Sequence, residues 1–121
     1  MNQLALPIAS PAALRAVGRR EYVLRRALEE RARFRPDFYD WLRENLHVWE
    51  RFETEAERAA AAGRTHYSAR TIGEYLRHQT ALEARNDGEW KLNDWRWPDL
   101  ARLYLVLHPH REGFFELRGR T

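Results

Sequence analysis

Cysteine is absent from the 121 residues. That excludes disulfides, thiolate metal sites and cysteine nucleophiles, and is compatible with a reducing compartment. Lysine is nearly absent: Lys91 is the only one, so 20 of the 21 basic residues are arginine. No long apolar run occurs, and LYLVL, residues 103–107, is far too short to span a bilayer. The opening MNQLALPIASPA lacks the basic start and long apolar centre of a secretory signal. A soluble, cytoplasmic protein with no membrane contact is therefore expected. There is no G-x-G-x-x-G, no phosphate-binding loop, no G-x-S-x-G and no H-E-x-x-H, so no cofactor or metal is expected.

What the chain does have is charge in blocks. The formal net charge is +3 and the pI is near 9.7. Arginine offers a planar donor fork suited to phosphates, carboxylates and aromatic faces. A GC-rich genome accounts for the same bias without any function. Residues 15–35 carry eight arginines and three glutamates, and residues 37–57 carry seven acids and two arginines. These neighbouring blocks of opposite sign pair either in a helical hairpin turning near Arg35-Pro36 or between the two chains of a homodimer.

The fold class expected is mainly α, one compact helical domain, with residues 1–10 as a flexible N-terminal arm. Ser10-Pro11 is a helix start, and Leu14, Val17, Leu24 and Leu28 share one stripe at helical spacing. Phe38, Trp41 and Leu42 are the expected buried residues of a short second helix ending near Asn45. A third, starting at Asn45 or His47, turns Trp49, Phe52, Ala56 and Ala60 inward and stops at Gly63. Ser68 caps a fourth, with Ile72, Tyr75, Leu76 and Leu82 as its apolar face. Asp87-Gly88 is a turn signal, and residues 89–92 read as a short strand or wing-like edge. That allows a short β-hairpin between the last two helices, in the manner of a winged helix-turn-helix. The last helix opens at Asp94 or at the Trp97-Pro98 corner, carries Leu100, Leu103, Tyr104 and Leu107, and stops at Pro109. Phe114 and Phe115 are expected to dock on the body.

If the second half binds DNA, the phosphate contacts are Arg64, Arg70, Arg77, Lys91, Arg96 and Arg102. Asn93 and Arg96 are the candidates for reading base edges, since asparagine suits adenine and arginine suits guanine. Trp95 or Trp97 stacks on an unpaired base, or else closes the core at a helix entrance. One of the two is expected inside and the other at least partly exposed. Glu89-Trp90-Lys91 has the E-x-K form found in metal-dependent nucleases, with Asp87, Asp94 and Asp99 nearby as carboxylates for a divalent cation. The same triplet is also an ordinary solvated turn. His108 follows a helix C-terminus, where an imidazole caps the dipole.

From about Glu44 onward, ENLHVWERFETEA, GRTHYSARTIGEYLRHQTALE, GEWKLNDWRWPDLARLY and HPHREGFF resemble a family of small, largely uncharacterised proteins common in phages and bacterial mobile elements. The resemblance covers nearly two-thirds of the chain and leaves out the N-terminal arginine helix. Family members carry an asparagine pair at Asn93-Asp94 and a tyrosine-containing stretch at Trp95-Arg96-Trp97. The resemblance implies regulation, DNA handling or interference with a host defence. The function expected is thus non-enzymatic nucleic-acid binding, with DNA as partner. The alternatives are a factor that binds a host or phage protein, such as a defence inhibitor, and a metal-dependent nuclease.

Overall fold

Helix formation begins where the chain supplies a cap. In the computed structural model, which describes residues 10–83 and 96–117, Ser10 Oγ accepts the Ala13 N–H at 3.1 Å and Pro11 occupies the first turn. The cap satisfies one orphan donor, and proline has no N–H to leave unpaired. Helix α1 runs Pro11–Glu29. A 3-10 turn at Arg31–Arg33 leads into α2, Phe38–Glu44, and α3, Leu46–Ala61. The Asn45 side-chain amide donates to the Trp41 carbonyl at 2.7 Å, tying the end of α2 to the start of α3.

α3 stops in a Schellman arrangement. The Gly63 N–H donates to the Ala60 carbonyl at 3.0 Å and the Arg64 N–H to the Ala59 carbonyl at 3.2 Å. Gly63 takes φ +98°, where a side chain would be strained. Ser68 Oγ then accepts the Thr71 N–H at 3.1 Å and opens α4, Ala69–Glu83. Helix α5, Arg96–Leu107, ends before a 3-10 turn at Pro109–Arg111. Proline cannot donate to continue the helix.

The architecture is mainly α, built around α5. This helix is central: α1, α3 and α4 all pack against it, and α2 lies between α1 and α3. Trp97, Leu100, Ala101, Leu103 and Tyr104 are buried, so α5 is apolar over most of its circumference, as a core helix must be. Val23 and Ala27 from α1 meet Phe38 and Leu42 from α2, Trp49, Phe52 and Ala56 from α3, and Ile72 and Leu76 from α4. Phe114 and Phe115 dock as expected, with the Phe115 ring 5.6 Å from Phe52 and 5.4 Å from Tyr104. Each buried aromatic or large aliphatic contributes roughly 1.5–3 kcal/mol relative to exposure.

Several inward faces differ from the sequence expectation. On α1 the buried residues are Val23 and Ala27, while Leu14, Val17 and Leu28 face solvent and Leu24 is half-buried. On α4, Tyr75 and Leu82 are exposed. Trp41 is half-buried rather than buried. Among the described residues the only β contact is the isolated bridge between Tyr67 and Phe115. The hairpin expected around residues 89–92 lies outside the described residues, as do residues 1–9 of the expected arm. No helix of the described residues is long and apolar enough to cross a membrane.

Candidate docking surface

The opposite charge blocks meet within the chain. Arg20 donates to both Glu50 oxygens at 2.7 Å, and Arg19 Nη2 donates to Glu53 Oε2 at 2.6 Å. These pairs hold α1 against α3 at its middle. Beyond them the helix overhangs: residues 10–18 are all exposed, a projection of about 12 Å for the eight helical residues.

The overhang carries the start of a second apolar stripe. Leu14 is 60% exposed, Val17 56% and Leu28 42%. With half-buried Leu24 they share one line along α1, turned roughly 115° from the Val23 and Ala27 face at 100° per residue. Only Glu21 interrupts it. The stripe ends at a cleft of about 350 Å³ lined by Leu28, Arg31, Phe34, Arg35, Pro36, Tyr39 and Asp40. A cavity of this volume is at the small end of ligand sites and suits an anchoring side chain. Arg25 flanks the stripe with 61% of its side chain exposed and pairs with Glu29 at 4.0 Å.

Of the arginines expected at a nucleic-acid surface, Arg96 and Arg102 are buried and Arg64, Arg70 and Arg77 are exposed. Arg96, expected to read a base edge, is buried. Its guanidinium lies over the Trp41 ring at 4.9 Å and reaches the Asp37 oxygens at 3.3 and 3.5 Å. Burial lowers its pKa against the opposing pull of Asp37. Arg102 is likewise buried and donates to Asp99 Oδ1 at 3.1 Å. Asp99 is fully buried, and its Oδ2 accepts the Arg35 N–H at 3.3 Å. Burial raises the Asp99 pKa, while Arg35 and Arg102 pull it back. Arg64, Arg70 and Arg77 are exposed. Arg70 pairs with Glu74 at 3.1 Å, Arg64 lies over Tyr67, and Arg77 lies over Trp97. Lys91, Asn93 and Trp95 lie outside the described residues, as do Glu89 and Lys91 of the nuclease triplet. Trp97 is buried, 3% exposed.

Two other polar clusters are internally balanced. Glu53 also accepts from His108 Nε2 at 2.7 Å. Burial pushes the Glu53 carboxyl up, but the hydrogen bonds from His108 and Arg19 outweigh it, so its pKa lies below the ordinary value. Tyr104 Oη donates to Glu57 at 2.5 Å, and burial followed by that bond raises the phenol pKa. This network joins α1, α3, α5 and the turn after α5. A cleft of about 390 Å³ beside α5 contains Arg26, Arg33 and Arg102, but each is paired with Glu29, Glu30 or Asp99. Among the described residues no group of three or more His, Asp or Glu is placed to hold a metal.

Sequence reasoning places Leu14 and Val17 on one stripe of α1 without naming them as site residues, and both are more than half exposed. Their signal was present: α1 has two apolar stripes, and the arginines that match Glu50 and Glu53 flank the other one. No protein-family model, curated protein or solved structure matches the chain.

Proposed function

We propose that this protein is a non-enzymatic docking module that binds another protein along the outward face of α1. The observation that carries it is Leu14 and Val17, more than half exposed on a helix that overhangs its own core. Two helical turns without tertiary packing are marginal in water, and an exposed apolar stripe, broken only at Glu21, beside an anchoring cleft suits a partner. The phage or mobile-element setting and a role against a host defence rest on the sequence resemblance and belong to this proposal. The test is capture from nuclease-treated lysate. A protein retained by the wild type and lost with L14E/V17E supports docking, whereas equal capture by both contradicts it.

Nucleic-acid binding is the second reading, favoured by the exposed Arg64, Arg70 and Arg77 at and along α4. It requires binding to duplex or single-stranded DNA that weakens steeply with salt, and a shallower slope in R64Q/R70Q/R77Q. A slope unchanged by that variant removes it.

A further inference from the structure

Resting on the docking role proposed above for the α1 face, we infer that this face closes on a second copy of the chain when no other partner holds it. The two α1 helices pair antiparallel about a two-fold axis centred between Tyr22 and Val23, and Leu14 of each copy enters the cleft of the other.

The spacing of the stripe points to a second helix. Leu14, Val17, Glu21, Leu24 and Leu28 recur at alternating steps of three and four residues, a mean of about 3.5 that keeps one line facing a neighbouring helix. A helix that packs only on its own core carries a broader apolar face, and α1 buries Val23 and Ala27 on a separate one. Gly18 flanks the same seam. Glycine is costly in a helix interior relative to alanine. A Cβ placed on Gly18 meets nothing within 4 Å, so no contact among the described residues asks for it.

Glu21 and the cleft fix the register. A parallel pair, or an antiparallel one centred on Glu21, sets that carboxylate against its own copy, which repels. Centring the pair between Tyr22 and Val23 instead brings Glu21 level with the partner's Leu24, and Val17 level with the partner's Leu28. Leu14 then stands about 4.5 Å beyond the level of the partner's Leu28. That is where the cleft bordered by Leu28, Phe34 and Tyr39 opens. Leu14, Val17 and Leu28, the exposed apolar side chains of the stripe, each gain an apolar counterpart.

Charge agrees with that register. Around the stripe and cleft, Arg25, Arg31 and Arg35 are matched in number by Glu21, Glu29 and Asp40. A balanced face suits a copy of itself better than a partner of one sign. Arg25 keeps its own Glu29 at 4.0 Å and lies within about 1.5 Å of the level of the partner's Glu21, on the same flank. Two symmetric Glu21–Arg25 pairs therefore cross the axis beside Gly18. Arg19 and Arg20 stay with Glu53 and Glu50 of their own chain, so the pairing exchanges no charge block. The contact covers roughly 1,000 Å² in total, the lower bound of specific interfaces. The dimer is accordingly weak, in the micromolar range, and a tighter partner displaces it.

The test is sedimentation velocity of the full chain from about 1 to 200 μM. The wild type is expected to pass from monomer to dimer over that range, and L14E/V17E to stay monomeric. E21R and R25E each set like charges against one another across the axis, and each is expected to weaken the dimer about tenfold or more. An equal mixture of E21R and R25E restores both opposite-charge pairs, and is expected to associate to within about threefold of the wild type. Neither variant can recover through its own chain, so the mixture reads contact between copies. Leu14, Val17, Glu21 and Arg25 are exposed, so melting curves of dilute samples should match the wild type. A wild type that stays monomeric overturns the inference. If nuclease-treated lysate then still yields a protein lost with L14E/V17E, the docking role stands without it. A dimer that L14E/V17E leaves intact, single reversals without effect, or a mixture as weak as its components overturns it as well. The full expected pattern together with no protein captured from lysate upholds the pairing and removes the docking role.

Discussion

Gly73 of α4 and Trp97 of α5 approach closely. A Cβ placed on Gly73 would meet Trp97 Cε2 at 2.1 Å, well inside contact distance. Only hydrogen fits there, and the tryptophan that sequence placed at a helix entrance fills the gap. G73A is therefore expected to lower stability by about 1–3 kcal/mol, the usual cost of overpacking. A urea midpoint unchanged from the wild type would show that the ring can move aside. Glu53 makes a second prediction at this scale. Its pKa is depressed in the folded chain, so its contribution is fully present above the ordinary glutamate value of about 4.3 and is lost as pH falls through the lower folded value. Between those two values the unfolded chain binds the extra proton, which sets the sign. E53Q should be less stable than the wild type at neutral pH and should lose less on acidification. Parallel stability curves from pH 7 to pH 3 would contradict this.

Elements were legible where local chemistry decides them. Ser10, Ser68, Gly63 and Pro109 each mark a helix end, because caps, positive φ and missing donors act over a few residues. Facing was harder. On α1 the larger side chains, Leu14, Val17 and Leu28, form one stripe and Val23 with Ala27 another, and periodicity alone does not rank them. The deciding information is tertiary: Val23 and Ala27 are the residues buried where α1 meets α2 and α5, and Glu50 and Glu53 fix which arginines face α3. Asp99 and Arg102 mislead for a related reason. Spaced i, i+3, they resemble a surface ion pair, yet α5 is central and takes them into the core. Arg96 required knowledge that Asp37 and Trp41, more than fifty residues earlier in sequence, would be beside it. The overhang of α1 carries its own prediction. Amide hydrogens of residues 15–18 should exchange with an opening free energy near zero, while those near Val23 and Ala27 should approach the global value. Uniform protection along α1 would mean that the first turns are held by something other than their cap.

Among the described residues, the apolar core and the ion pairs of Arg19, Arg20 and Arg102 gather α1, α3 and α5 into one body, whereas Leu14 and Val17 stand more than half exposed on α1. That contrast is what supports the docking proposal. The basic residues expected to bind DNA divide along the same line: Arg96 and Arg102 belong to the body, and Arg64, Arg70 and Arg77 remain on the surface. Stability and binding should therefore be separable. Exposed substitutions such as L14E/V17E are expected to change unfolding free energy by no more than about 0.5 kcal/mol.

The most direct measurement is capture from nuclease-treated lysate by three forms of the chain: wild type, L14E/V17E and R64Q/R70Q/R77Q. Docking through α1 predicts a protein retained by the wild type and by the arginine variant, and absent from L14E/V17E. Capture that survives L14E/V17E, or that disappears only with the arginine variant, would contradict it.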